Sequence, residues 1–500
     1  MCNNFYFLLS LLINFEFNCD KILRSRYFVI CYFKHCFFLI EFQKSGSLKA
    51  EKLHISKIKG GFKEMPIDRY TKLEIKKIWS KRSKFQRWLN VEILVLEAKE
   101  ELGLIPKGIA LKVRKNAKFT VAEIKKREKE TGHDFVAFIQ VVSESLPPEV
   151  RPYFHAGLTS YDCEDTALAT MIRDSTDLIS QKLVELEQIL KEMVLKYKYT
   201  LQIGRTHGVH AAPITFGFKL LNWLSEIQEY IKILEENRPH FLVGKISGAV
   251  GTYANTDPRI ERIVCEKLGI YAAKVSTQIV NRAHHSFYLA ILTLISASLE
   301  KFATEIRNLS RTEIGEVQEP SLEKQTGSSA MPHKKALPNP VASENTCSLM
   351  RTPKGNLITA LENQATCWHE RSLDNSANER FTFADTSTYV YYSLWRFINI
   401  LKNLEVFPDQ MLKNLNLTRG IIFSEDVMLA LAEKGIGRED VHALLQELTL
   451  KSRKQKLEFK EVLLADSRIT GLLSSREIEA CLNPQRYLKN LDQIFARFGL

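Results

Sequence analysis

The segment from Gly327 to Pro340, GSSAMPHKKALPNP, combines the residue types of a proton-transfer loop. Gly327 frees the backbone, and the prolines prevent a continuous helix. The Ser328 hydroxyl can act as a base only if its alkoxide is stabilised, which the Lys334 ammonium and backbone N–H donors could do. The same composition is typical of a solvated surface turn. The segment therefore predicts a catalytic loop, with a plain surface loop as the alternative.

A second segment with acid–base chemistry, GRTHGVHAAP, carries two histidines. The imidazole of His207 titrates near neutral pH, so it can give up a proton and regain it. We expect His210 to have a supporting part. Taken alone, a histidine is more often structural than catalytic, so this segment needs the support of others.

The composition is that of a globular protein with several domains. The chain has 500 residues and 57.5 kDa, with 45% hydrophobic and 26% charged residues, which excludes general disorder. The net charge of +12 comes from basic residues interspersed with acidic ones, as at 123–130. Such a pattern favours solvated helix faces and an electropositive pocket for an anionic metabolite, and we expect no nucleic-acid partner.

The cysteines give no sign of a metal or disulfide framework. Four of the nine lie in the first forty residues and the others are scattered singly, without zinc-ligand spacing. We therefore predict no metal and a reducing compartment, namely the cytoplasm.

Residues 1–64 differ from the rest of the chain. The runs FYFLLSLLINFEF and YFVICYFKHCFFLIEF are apolar and aromatic but are interrupted by polar residues, and neither has the length of a clean spanning helix. They also fit poorly to a signal or transit peptide. We interpret 1–64 as an atypical extension, either targeting or not native, which leaves organellar or membrane association open; no membrane contact is expected for 65–500.

Long helical periodicity dominates after Met65 and predicts an all-α helix bundle, with few strands. Three stripes repeat at steps of three and four residues: Ile179, Leu183, Leu186, Leu190, Met193 and Tyr197; Phe216, Leu220, Trp223, Ile227, Tyr230 and Leu234; and Ile291, Ile295, Leu299, Phe302, Ile306 and Leu309. Gly and Pro then mark non-helical connections at 155–162, 203–213, 243–255 and 327–340, where we expect the polar chemistry.

The GSSAMP segment, followed by Lys and later Asn-Pro, resembles the signature of the fumarase/aspartase superfamily. From Met65 onward the chain further resembles the adenylosuccinate lyase family, on motifs that follow the family's order and spacing: DRYT at 68–71, ETGHDFVAF at 130–138, HAGLTSYD at 155–162, GRTHGVHAAP at 204–213, SGAVGTYAN at 247–255, STQ at 276–278 and HERSLDNSANER at 369–380. The resemblance implies three domains: an N-terminal helical domain at 65–158, a central long-helix bundle with the signature loop at 159–411, and a C-terminal helical domain at 412–500.

The resemblance also implies a reaction. This would be β-elimination of fumarate from adenylosuccinate, giving AMP, and from the succinylated carboxamide precursor of purine synthesis (SAICAR), giving AICAR. The protein would be a carbon–nitrogen lyase acting on a small succinylated nucleotide, without metal or organic cofactor, as a homotetramer with shared active sites.

The resemblance also implies a role for each residue that matches a family motif. Ser328 would be the base, His207 the acid, and His155 an assistant to His207. Arginines suit phosphate or carboxylate, and hydroxyls orient the succinyl group. The implied substrate-binding residues are Arg69, Tyr70, His133, Asp134, Thr159, Ser160, Gln278, Ser329, Lys334, Asn339, Arg371, Ser376 and Arg380.

One departure from the family pattern falls inside the signature. Ala336, Leu337 and Pro338 separate the basic residues from Asn339, where the family has none of these three. A displacement of about 1 Å can cost on the order of a hundredfold in rate, although an outward bulge would be harmless. The alternatives are therefore another lyase of the superfamily, or a catalytically impaired structural homologue.

Overall fold

The computed structural model describes residues 27–33, 36–42, 68–320 and 327–500. The chain divides into two units, Met1–Glu64 and Met65–Leu500. In the first unit, strands β1 (Tyr27–Phe33) and β2 (Cys36–Phe42) pair antiparallel. The rest of this unit, and with it the interpretation of 1–64 as an extension, lies outside the described residues.

Helices make up most of the second unit. They are α1 (Leu73–Ile78), α2 (Lys81–Glu101), α3 (Ile109–Asn116), α4 (Val121–Thr131), α5 (Asp134–Glu144), α6 (Ser160–Lys196), α7 (Phe216–Glu236), α8 (Arg238–Phe241), α9 (Pro258–Leu268), α10 (Arg282–Leu309), α11 (Val341–Leu349), α12 (Arg351–Ala365), α13 (Asp374–Lys402), α14 (Pro408–Asn416), α15 (Ser424–Glu433), α16 (Arg438–Gln455), α17 (Phe459–Leu464), α18 (Ser467–Thr470), α19 (Ser475–Cys481) and α20 (Leu491–Ala496). Short strands pair between them: β3 (Leu201–Thr206) with β4 (Val209–Thr215), β5 (Val243–Gly244) with β6 (Tyr271–Ala272), and β7 (Val317–Gln318) with β8 (Glu405–Val406).

The centre of this unit is a bundle of the long helices α6, α7, α10, α12 and α13. All three predicted stripes lie on these helices or at their ends, and their residues are buried, except for the half-buried Tyr230. The Tyr230 hydroxyl lies 2.8 Å from that of Ser298, so its polar end has a partner. Trp223 stacks on Phe302 across α7 and α10, with ring centroids 4.8 Å apart. The all-α fold with a central bundle is confirmed.

Local structure differs from the sequence interpretation in two segments. The segment at 203–213, expected as a plain connection, is mostly an antiparallel hairpin, since β3 and β4 are joined by His207 and Gly208 at φ 54° and 78°. Two left-handed residues match the twist of a tight hairpin. At 155–162, Ser160 already begins α6, because Thr159 and Asp162 form a capping box that starts the helix early.

Buried side chains form one large core in the bundle and a smaller one between α15 and α19, from Val427 to Cys481. The division at 158/159 and 411/412 stays a prediction. Among the described residues, helix α10 alone has the length and hydropathy of a membrane span, and 56% of its apolar window is buried inside the protein. Helix α10 thus packs as a core helix of the bundle.

Candidate active site

Ser328 sits in a tight turn of the signature loop, which is residues 327–340. Its Oγ accepts hydrogen bonds from the backbone N–H groups of Ala330 and Met331, at 3.2 and 3.1 Å. Gly327 has φ 79°, and a Cβ there would lie 2.4 Å from the carbonyl oxygen of Lys334. Glycine therefore lets the loop close on itself beside the lysine. Two N–H donors aimed at one hydroxyl oxygen favour its charged form.

Ala336 and Leu337, two of the residues that depart from the family pattern, extend the turn that precedes them. Pro332–Lys335 is a 3₁₀ helix, and the N–H groups of Ala336 and Leu337 both donate to the carbonyl oxygen of His333, at 3.0 and 3.1 Å. Both side chains are exposed. The added residues thus extend the surface side of the loop.

His207 lies at the exposed tip of the β3–β4 hairpin. The hairpin is anchored near its tip by the buried carboxylate of Glu316, which accepts bonds from Arg205 at 2.6 Å and from Gln202 at 2.7 Å. Glu316 directly precedes β7, from which the chain continues toward the signature loop. One carboxylate therefore connects the hairpin to the start of β7.

His210 faces Arg205 across the hairpin. Its Nδ1 atom is buried, and no hydrogen-bond partner for it lies among the described residues. Burial and the charge of Arg205 lower the pKa of His210, against the opposing charge of Glu316. A neutral imidazole inside the hairpin suits the supporting part expected for it.

Most of the predicted binding residues, together with His155, which was predicted to assist His207, meet at a second location. We call it the binding patch: His133, Asp134, His155, Thr159, Ser160, Gln278, Arg371, Ser376 and Arg380. Asp134 is buried, and Oδ2 of its carboxylate accepts bonds from Arg380 at 2.7 Å and from Lys84 at 3.0 Å. Burial alone would raise the pKa of Asp134, but the hydrogen bond and charge of Arg380 and the charge of Lys84 hold it well below its usual range. His133 caps the same helix, α5, by accepting the N–H of Phe135.

Arg371 lies beside the start of α6. Its guanidinium carbon is 3.8 Å from the ring centroid of Tyr161, and its Nη1 donates to Gln278 Oε1 at 3.0 Å. These partners are neutral, so the charge of Arg371 is uncompensated by them and suits a carboxylate or phosphate. A cavity of about 420 Å³ opens against Arg371 and Gln278. Ser376 and Arg380 follow on the first turns of α13.

The start of α6 is held by buried charges. Asp162 receives the Lys245 ammonium and the N–H groups of Ser247 and Gly248. Arg282, 1% exposed, donates to Asp165 at 2.8 Å and lies 2.9 Å from Glu379 of α13. These pairs fix α6, α10 and α13 relative to one another beneath the patch.

Not every predicted residue joins the patch. Tyr70 packs edge-on against Tyr392 of α13, with ring centroids 5.7 Å apart, and the Arg69 guanidinium lies over Tyr70. Tyr392 follows Arg380 by twelve residues on one helix, which is about 18 Å along its axis. Ser328, Ser329, Lys334 and Asn339 lie in the signature loop, and His207 lies in the hairpin.

Helix α6 separates the patch from the hairpin. It spans 37 residues, or about 55 Å, with His155, Thr159 and Ser160 at its N-terminal end and the hairpin of His207 just after its C-terminal end. Glu316, just before β7, bonds to the hairpin at this far end. Within one chain, the patch and the hairpin of His207 therefore belong to opposite ends of α6.

Sequence reasoning missed three side chains of the patch: Lys84, Glu92 and Tyr161. Lys84 pairs with Asp134, Glu92 lies 2.6 Å from His155, and Tyr161 packs on Arg371. The one available signal was the carboxylate of Glu92 inside the apolar run VEILVLEA, since buried acids are rare unless paired. Nothing in the local sequence marked the other two.

The chain is similar to known lyases in sequence and in fold. The model of a family described as "Lyase" matches residues 69–352, and that of "Adenylosuccinate lyase C-terminus" matches residues 420–498. Solved structures with a similar fold include a fumarate lyase from Mesorhizobium sp. BNC1 (TM-score 0.77, 26% identity, 85% of this chain and 96% of that one) and the 3-carboxy-cis,cis-muconate lactonizing enzyme from Pseudomonas putida (TM-score 0.77, 28% identity, 86% and 96%). Fold and site thus define a lyase of the fumarase/aspartase class.

Similarity to a relative over that relative's full length identifies the family within this class of lyases. Adenylosuccinate lyase of Bacillus subtilis (strain 168) is 45% identical over 434 residues, which is 87% of this chain and all of that protein. The chain belongs to the adenylosuccinate lyase family and is a carbon–nitrogen lyase.

Proposed function

We propose that the reaction of this family, release of fumarate from adenylosuccinate to leave AMP, is carried out here by Ser328 as base and His207 as acid. The Ser328 alkoxide removes a proton from the succinyl carbon beside a carboxylate. The electron pair of that C–H bond forms the double bond of fumarate, the carbon–nitrogen bond breaks with its electron pair going to the exocyclic nitrogen on the purine, and His207 donates a proton to that nitrogen. These steps balance with protons and fixed charges alone.

The observation that carries the proposal is the pair of N–H groups bonded to Ser328 Oγ. The serine alkoxide needs donors that are already aligned, because a free serine is not basic enough to take a carbon-bound proton near neutral pH. Lys334 lies on the chain segment that packs against Gly327, so its ammonium is a candidate for the remaining stabilisation.

The binding patch is suited to the anionic groups of the substrate. Arg371 has neutral partners, whereas Arg380 is already paired with Asp134. We therefore propose that Arg371 binds a carboxylate or phosphate of the substrate directly. The residues that orient the succinyl group would be Thr159, Ser160, Gln278 and Ser376. His133, Ser329, Asn339, Arg69 and Tyr70 complete the proposed binding set.

A complete site on this account needs more than one subunit. The length of α6 supports this, because the patch lies at one end of this helix of about 55 Å and the hairpin of His207 follows its other end. Large apolar side chains are also exposed on the bundle, as at Val184, Leu294 and Ile358, which are 50%, 51% and 64% exposed. We take these exposed side chains, which lie on three helices of the bundle, as part of the surface that another chain covers. We propose a homotetramer with shared active sites.

We further propose that the protein cleaves SAICAR as well, because elimination acts on the succinylamino group that the two substrates share. Cys163, Cys265, Cys347, Cys367 and Cys481 are free thiols, and all of these but Cys367 are buried, which suits a reducing compartment. We accordingly place the reaction in the cytoplasm.

The substrate is tested by following fumarate release from adenylosuccinate, SAICAR and argininosuccinate with the purified full chain. We expect turnover of the first two substrates. Activity on argininosuccinate alone would exclude the proposed reaction.

The extended signature loop is tested by deleting 336–338. Because Ala336 and Leu337 lie on the exposed side of the turn, we expect the rate to stay within about threefold of the parent. A dead parent that the deletion rescues would instead support a catalytically impaired homologue.

A further inference from the structure

Glu92 is a carboxylate inside the apolar part of α2, and it is 1% exposed. Its Oε1 lies 2.6 Å from His155 Nδ1 and 3.1 Å from Cys163 Sγ. An ionised carboxylate only accepts hydrogen bonds, so the imidazole and the thiol both donate to it. A buried acid left without such donors would be costly. The three side chains therefore form one bonded group.

The backbone and surroundings of His155 fix its ring as well. Its φ is 58°, in the left-handed region that non-glycine residues seldom occupy. The imidazole packs against the ring of Phe135, with centroids 5.2 Å apart, and its side chain is 22% exposed. With Nδ1 turned inward to Glu92, Nε2 is the nitrogen available to a ligand.

We propose that Glu92 is the positioning residue of His155: it holds a hydrogen on Nδ1 and directs the Nε2–H of the protonated ring toward the substrate. Held this way, Nε2 meets a succinyl or phosphate oxygen without first paying the cost of ordering the ring. This inference rests on the proposed function, in which His155 lies at the active site. Glu92 itself acts through the histidine and touches no reacting atom.

The net effect of the charges around His155 is to favour its protonated ring. Burial lowers the pKa of His155, but the hydrogen bond and charge of Glu92 outweigh it; Asp162 adds to the rise and Lys99 opposes it. The pKa is thus raised, and the cationic ring, which donates from Nε2, persists to higher pH and is lost as pH rises further. Burial raises the pKa of the Cys163 thiol, which keeps its proton for Glu92.

The side chains of Glu92, His155 and Cys163 each offer an atom that could bind a metal ion, and these atoms lie within 4.8 Å of one another. A zinc ion would require the thiolate form of Cys163. It would also replace the two hydrogens that His155 and Cys163 donate to the Glu92 oxygen. The Lys99 ammonium, which donates to the carbonyl of Ala156 at 2.6 Å, adds positive charge nearby. The geometry and charge favour the hydrogen-bonded group.

The test compares Glu92→Gln, which keeps volume but removes the charge, with Glu101→Gln, an exposed acid on the same helix. We expect Glu92→Gln to lower kcat/KM by about 10- to 100-fold and to move the alkaline limb of the pH profile to lower pH. Glu101→Gln should stay within about threefold. An unchanged rate and pH profile in Glu92→Gln would overturn the inference.

His155→Ala separates this inference from the proposed function. If Glu92 acts through the histidine, Glu92→Gln adds less than about threefold in the His155→Ala background. Near-parent activity of His155→Ala itself would remove His155 from the proposed site. Zinc chloride that inhibits the parent but not Cys163→Val, with chelator restoring activity, would replace the hydrogen-bonded group with a metal site.

Discussion

The binding patch and the signature loop hold their polar groups in different ways. In the patch, Asp134 is buried and joins residues far apart in the chain, Lys84 and Arg380. In the loop, Ser328 bonds to N–H groups two and three residues ahead, beside exposed side chains such as Met331. Long-range ion pairs fix the helices that carry the patch before substrate arrives, whereas Arg371 keeps neutral partners. Short-range turn bonds shape the base while leaving it on a surface that a second chain can meet.

Removing a proton-transfer group should have the largest effect. We expect Ser328→Ala and His207→Ala each to lower kcat by about a thousandfold while substrate still binds, because each loses a partner in proton transfer. Ser475→Ala and His442→Ala, at exposed positions on the C-terminal helices, are the matched controls. Steady-state kinetics with adenylosuccinate and a binding measurement separate the two effects, and near-parent turnover of either variant would refute its role.

Gly327→Ala tests whether the shape of the loop matters apart from its hydroxyl. The new Cβ would lie 2.4 Å from the Lys334 carbonyl oxygen at φ 79°, so the turn must open. We expect kcat to fall about a hundredfold with little change in Tm, since the loop is largely exposed.

Gly355→Ala is the control for that variant, because a Cβ at this helical glycine meets no atom within 4 Å. Equal kcat values for Gly327→Ala and Gly355→Ala would show that the closed turn is irrelevant to catalysis.

Asp134→Asn tests the patch through stability. The pKa of Asp134 is lowered on folding, so its contribution is present above the unfolded carboxyl pKa of about 4 and is lost as pH falls through the lower folded value. We expect the variant to be less stable by about 2 kcal/mol at pH 7. The free energies of unfolding of parent and variant, measured with urea, should approach each other as the pH is lowered. A difference that grows toward low pH would contradict the assigned pairing.

Periodicity in the sequence predicted the helices well. The stripe from Ile179 to Leu190 is buried because a repeat of three and four residues leaves a helix one apolar face. The hairpin around His207 was missed because its strands are short and its turn depends on a left-handed histidine, which composition does not indicate. Local motifs named the site residues but could not order them in space.

Pairs distant in sequence were also beyond prediction. Glu92 and His155 are 63 residues apart, and Asp134 and Arg380 are 246 apart; only the packing of α2, α5, α6 and α13 brings each pair together. The same limit applies to the 37-residue length of α6, which sets the distance between patch and hairpin.

The central claim is that an active site combines the signature loop of one subunit with the binding patch of another. The most direct test mixes Ser328→Ala with His155→Ala, two variants inactive alone, and assays fumarate release from tetramers shown by differential tags to contain both. The account predicts recovery of up to about a quarter of parental activity, because random assembly leaves that share of sites with both groups native. Mixed tetramers as inactive as the two parents would contradict it.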